Sequence, residues 1–191
     1  MSTYAEIMRL VAASPGEAQA MIKDEILPAL IDFWLAEYQA STPGAEIVEV
    51  KIDGFSHLFD LTEERLVAAY GFPGGVAPAG RDASRMRGFP KPPAGHVKGH
   101  AIAHQLGGGL DINLVPQDAI INSGAFRALE REAARHSGCL YFSNWTYGQP
   151  GVQTPCDVVQ GLIRARDDIG REHPPKGEQN ALVVKIVRHA N

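Results

Sequence analysis

Gly107-Gly108-Gly109 restricts the fold of this chain more than any other feature. Three successive glycines have no side chains to pack and lose the most conformational freedom on ordering, so they end whatever regular element precedes them. Residues His96–Ala103 before them read as a strand, Gln105–Asp111 as a glycine-rich turn, and Ile112–Val115 as a second short strand. From Asn122 to about His136 the pattern is an amphipathic helix, closed by Ser137-Gly138. Three further strands are predicted at Leu140–Tyr147, Asp157–Arg164 and Ala181–His189. Residues 96–191 thus read as one α+β domain with a small antiparallel sheet.

The chain upstream has a different texture. A short helix is expected from about Thr3 to Ala13. Ser14-Pro15-Gly16-Glu17 then forms a helix start, with Ser at the cap, Pro in the first turn and Glu at the third position. Met21, Ile22, Ile26, Leu30, Trp34 and Tyr38 recur at helical spacing up to Ser41-Thr42-Pro43-Gly44, with Pro28 expected to kink or split the run. That apolar face reads as core or as a docking surface. Glu46–Ile52 alternates as a half-buried strand ending in the turn Asp53-Gly54, and Thr62-Glu63-Glu64 is expected to open a helix through Tyr70. The division expected is an acidic, mainly helical region over 1–70, a Gly/Pro-rich basic loop over 71–95, and the α+β domain over 96–191.

Charge follows the same division. Residues 1–70 carry a net charge of −8 and residues 71–191 one of +4, within a total of −4. A polyanion would approach the second part. The loop holds Arg81, Arg85, Arg87 and Lys91 and reads as a solvated basic loop or a phosphate-contacting arm. Cys139 and Cys156 belong to no paired-cysteine zinc pattern and read as free thiols rather than a disulfide. No apolar run approaches bilayer length and no signal-peptide pattern opens the chain. The expected location is cytoplasmic, or outside the cell by a route without a classical signal peptide, with no membrane partner.

The polar residues around the glycine turn form a chemical kit. His100 is a candidate general base, because an imidazole near its ordinary pKa takes a proton from water at neutral pH. Asn122 offers an amide oxygen suited to Mg2+, a hard cation that keeps most of its waters, with Mn2+ as a substitute. Glu130, about two helical turns further on, is placed to hydrogen-bond such waters. Lys98 shares a strand face with His100 and could neutralise phosphate charge. Arg127, Arg131 and Arg135 form one helical stripe that could clamp a substrate. His104 could carry a second proton or simply pack in the turn.

Three ordered blocks resemble the DNA/RNA non-specific endonuclease family, the ββα-metal nucleases with an Asp-Arg-Gly-His signature. They are Gly99-His100-Ala-Ile-Ala with Leu106-Gly107-Gly108, then Asn113-Leu-Val-Pro-Gln117, then Asn122-Ser-Gly-Ala-Phe-Arg-Ala-Leu-Glu130. The resemblance runs from about Gly95 to Pro155. It implies a ββα-metal core, His100 as general base and Asn122 as the sole protein ligand to magnesium. It also implies that Asn113 and Glu130 orient the site and the metal's waters. The signature's Arg is Lys98 here and its Asp is Val97, so the bidentate fork towards phosphate is lost; His96 is a possible replacement for the missing acid.

The resulting expectation is a Mg-dependent endonuclease that cleaves DNA, RNA or both with little sequence preference, as a toxin or effector nuclease would. Lys98, Arg127, Arg131 and Arg87 would bind substrate. Residues 1–70 would dock an inhibitor (immunity) protein or a delivery protein, or cover the chain's own basic face. The alternative is a catalytically inactive module that binds nucleic acid or protein on the same scaffold.

Overall fold

The computed structural model describes residues 3–12, 18–74, 90–109, 111–165 and 182–191. Its centre is a six-stranded antiparallel sheet in which every strand pairs with its neighbour in the order β1-β2-β3-β6-β7-β8. These strands are β1 (Ile47–Ile52), β2 (Phe55–Asp60), β3 (Arg65–Gly71), β6 (Leu140–Thr146), β7 (Asp157–Ala165) and β8 (Leu182–Ala190). Between β3 and β6 the chain leaves the sheet to form a separate two-stranded ribbon of β4 (His96–His100) and β5 (Leu114–Asp118).

Helices α1 (Tyr4–Ala12), α2 (Ala18–Met21) and α3 (Leu27–Ser41), the last two joined by a wider π-type turn over Ile22–Ile26, cover one face of the sheet. Ile22, Ile26, Leu30 and Trp34 are fully buried there, and the Trp34 ring lies 5.1 Å from Phe142 and 5.7 Å from Tyr70. The apolar stripe therefore packs into the core. Pro28 sits in the first turn of α3, directly after the π-type turn over Ile22–Ile26, so the helical run changes its pitch just ahead of the proline without breaking. The helix start expected at Ser14–Glu17 lies outside the described residues.

The opposite face carries the ribbon with α4 (Ala119–Ser123) and α5 (Ala125–Ala133). Alternation along β6 assigns the two faces: Phe142 and Asn144 meet the helical layer, while Tyr141, Ser143 and Trp145 look the other way. Ser143 Oγ donates to Ala101 O at 3.1 Å, and Trp145 stacks on Phe126 of α5 with centroids 6.0 Å apart. Asn191 ties the ribbon to the sheet from outside, its amide donating to Pro116 O and Pro155 O and its Oδ1 accepting from Asp118 N.

Two expectations are corrected here. Thr62–Tyr70 is not a helix: Glu64 turns the chain at φ 51° and Arg65–Gly71 is a strand buried along its whole length. The run Leu66-Val67-Ala68-Ala69 lies between two covering layers, so it lacks the alternation that marks a half-buried strand. As a consequence β1–β3 and β6–β8 form a single sheet across the boundary expected at residue 70, and β2 had no counterpart in the sequence reading. The helix expected over Asn122–His136 is two helices, broken at Gly124.

At the start of β3 a buried Arg65 knits the layers together. It donates to Tyr38 Oη, to Thr42 Oγ1 and to the carbonyls of Gln149 and Val152, while Tyr38 donates to Asp60 Oδ2. The guanidinium also lies 4.2 Å from the Tyr147 ring centroid. All three guanidinium nitrogens are thus engaged, as a buried cation requires. The arrangement is structural.

Candidate functional site

The site begins with the β4–β5 ribbon, whose register sets Gly99 opposite Val115 and His100 opposite Leu114. Lys98 and His100 share one face of β4. On the other face the buried Gln117 side chain lies across Gly99, where any Cβ would fall 2.1 Å from the Gln117 carboxamide carbon. Glycine is therefore the residue that fits there. Gln117 Nε2 donates to His100 O at 3.2 Å, so the side chain that demands Gly99 also holds the His100 backbone.

Asn113 fixes the turn that follows. Its Oδ1 accepts from Ile102 N at 2.8 Å, and its Nδ2 donates to Ile102 O and Gly109 O, both at 2.8 Å. His57 Nε2 on β2 lies 3.3 Å from the same Oδ1; burial lowers the pKa of this histidine, and the neutral ring donates through Nε2. The chain closes so tightly that a Cβ on Gly108 would meet Ile102 O at 1.9 Å. Asn113 thus secures the segment between His100 and β5 and ties it to the central sheet.

Helix α4 is capped by Asp118, whose Oδ1 accepts from Ile120 N and Ile121 N. The capping role is filled, so the Asn122 amide is left for the cleft. The break at Gly124 redirects the chain before α5, and α5 then buries Phe126, Leu129 and Ala133 against the sheet. Asn122 and Glu130 are therefore not confined to the separation that one straight helix would impose.

Lys98, His100, Ala103, His104, Gln105, Asn122, Arg127, Glu130 and Arg131 together line one cleft of about 490 Å³. Seven of the residues selected from sequence, on β4, the turn after it, α4 and α5, thus meet at one place. Burial raises the Glu130 carboxyl to about 7, against the opposing pull of Arg127 and Arg131. Behind it, the buried Gln160 Nε2 donates to Tyr141 Oη at 2.6 Å and to Phe126 O at 3.3 Å, bracing α5.

The raised Glu130 pKa has a stability consequence. Between about 4.5 and about 7 the unfolded chain has released this proton and the folded chain retains it. Stability contributed by the neutral form is full below that window and lost as pH rises through it. Glu130→Gln, neutral throughout, is expected to flatten the fall by about 2 kcal/mol once partial exposure is allowed for. Urea midpoints of both proteins on either side of the window check this.

Some expected residues lie elsewhere. Asn113 does not line the cleft: its amide is committed to backbone, which makes it a positioning residue rather than one that meets substrate. Arg135 lies beyond the end of α5 and outside the cleft wall, and Arg131 Nε donates to Arg127 O. His96 approaches Ala94 O at 3.5 Å and does not line the cleft. Arg87, with Arg81 and Arg85, lies outside the described residues. Gln105, Gln117 and Gln160 were given no role from sequence, although a glutamine in the apolar run Val158-Val159-Gln160-Gly161-Leu162 is a readable signal of a buried polar contact.

The donors present suit a hard cation. Asn122 offers a neutral oxygen and Glu130 a carboxylate whose burial an adjacent cation would offset. Among the described residues no group of three or more His, Cys, Asp or Glu side chains could hold a metal. An ion here would keep most of its coordination as water, as magnesium prefers. Cys139 and Cys156 are free, one buried and one exposed. Among the described residues no helix is long and apolar enough to cross a membrane. No protein-family model matches the chain, and no curated protein matches it.

Proposed function

We propose that the chain is a magnesium-dependent endonuclease that hydrolyses phosphodiesters of DNA, RNA or both without reading base sequence. What carries this reading is the meeting of Lys98, His100, Asn122, Arg127, Glu130 and Arg131 around one cleft. A strand pair followed by helices supplies these residues, in the order of the ββα-metal nucleases that the three sequence blocks resemble.

In this reading His100 accepts a proton from the water that attacks phosphorus. Lys98 and the two arginines balance the charge of the nucleic-acid backbone, which is the same for every base and gives no sequence preference. Asn122 would hold magnesium through its amide oxygen, and Glu130 would hold the ion's waters. Bound there, the ion supplies Lewis-acid stabilisation of the charge that gathers on the phosphate and the leaving oxygen. Asn113 and Gln117 keep His100 in place without touching substrate.

Purified protein incubated with supercoiled plasmid and with total RNA tests the proposal. Degradation is expected with magnesium or manganese and none with EDTA. Retention of either nucleic acid without cleavage under all metal conditions would overturn the enzyme and leave a binding module.

A further inference from the structure

The central sheet ends at β8, nine residues long, and among the described residues nothing pairs with its outer edge. Edges of this kind are ordinarily guarded by proline, a bulge, short length or outward charge. β8 contains no proline and pairs with β7 over its whole length without a register shift. Its two lasting cations are drawn back onto the chain: Lys185 Nζ lies 2.6 Å from Glu132 Oε2, and Arg188 Nη2 lies 2.9 Å from Asp157 Oδ2. Val184 and Val187 are exposed beside them.

The backbone fixes which groups face outward. Asn191 N donates to Cys156 O at 2.8 Å, so the amides and carbonyls of the odd-numbered residues point to β7. Those of Leu182, Val184, Ile186, Arg188 and Ala190 point away from the sheet.

We propose that β8 joins two copies of this chain, antiparallel about a two-fold axis through Ile186, into one continuous sheet. In that register every outward group meets an outward group, giving about ten backbone hydrogen bonds. Ile186 faces its own symmetry mate, Val184 faces Arg188 and Lys185 faces Val187, with no like charges directly opposed. An axis through Lys185 would set two lysines face to face, and one through Val187 would leave the start of the strand unpaired. A second copy is thus the occupant that this strand's own sequence fits. The axis is perpendicular to the sheet, so both ribbons and both clefts lie on the same side of the joined sheet. The pairing is independent of the chemistry in the cleft.

Light scattering across the micromolar range tests the pairing. Wild type is expected at twice the 20.6 kDa chain mass. Ile186→Pro removes an outward N–H, which an edge strand tolerates, and trims a side chain only partly buried against the core, and is expected to be a folded monomer with unchanged circular dichroism. Val184→Glu sets a carboxylate opposite Arg188 and is expected to remain a dimer. Should Ile186→Pro fail to fold, Ile186→Lys sets two ammonium groups across the axis and is expected to be monomeric. A monomeric wild type would overturn the proposal, as would a folded dimer of either Ile186 variant or dissociation of Val184→Glu.

Discussion

His100→Ala is expected to lower phosphodiester cleavage by about 10²- to 10⁴-fold, the range lost when a positioned general base is removed. The fold should survive, because Gln117 holds the His100 backbone carbonyl, which the substitution leaves in place. Magnesium affinity should also survive, since the proposed ligand is Asn122. The pattern to look for is a collapse of turnover with unchanged circular dichroism and unchanged dependence on metal concentration. A His100→Ala protein as active as wild type would remove the base from the mechanism.

Asn113→Ala is the substitution expected to cost most in stability. It leaves Ile102 N, Ile102 O and Gly109 O without their partners, beside a buried His57. A buried polar group without its bond costs about 1–3 kcal/mol, and these groups share one network, so about 3–5 kcal/mol is expected for the site as a whole. Asn113→Asp should be similarly damaging: it keeps the acceptor for Ile102 N but turns a second oxygen towards two carbonyls. Denaturant midpoints of the two variants measure the effect. Cleavage should fall in both, because the segment that follows His100 loses its anchor.

The site was more legible than the fold around it. Its residues lie within one short stretch, and their types carry chemistry that solvated surface does not need: a histidine on a strand, an asparagine ahead of a helix and a carboxylate two turns on. Asp118 had no role in the sequence reading, although an aspartate ahead of Ala119-Ile120-Ile121 is a readable helix cap. The break at Gly124 was harder to read, because a lone glycine is tolerated inside a helix and only its backbone, at φ −108° and ψ −89°, shows that one helix stops and another starts there.

The central sheet was half legible. β6, β7 and β8 carry β-branched and aromatic runs that stand out, and β1 alternates. Leu66-Val67-Ala68-Ala69 has alanines that favour helix, and the layers on both faces overrule that preference. Local sequence holds no record of such long-range cover. The acidic charge of residues 1–70 was also visible. That three strands inside it complete the same sheet as residues 140–190 was not, since pairing between β3 and β6 spans the whole ribbon and both short helices.

Chemical rescue tests the proposed role of the cleft most directly. His100→Gly opens a space where the imidazole ring stood, and cleavage of a labelled oligonucleotide with magnesium is measured with and without added imidazole. The expected result is a protein nearly inactive alone whose rate rises with imidazole concentration, and rises further as pH brings imidazole to its neutral form. Cleavage by His100→Gly at the wild-type rate without imidazole would contradict His100 as the base.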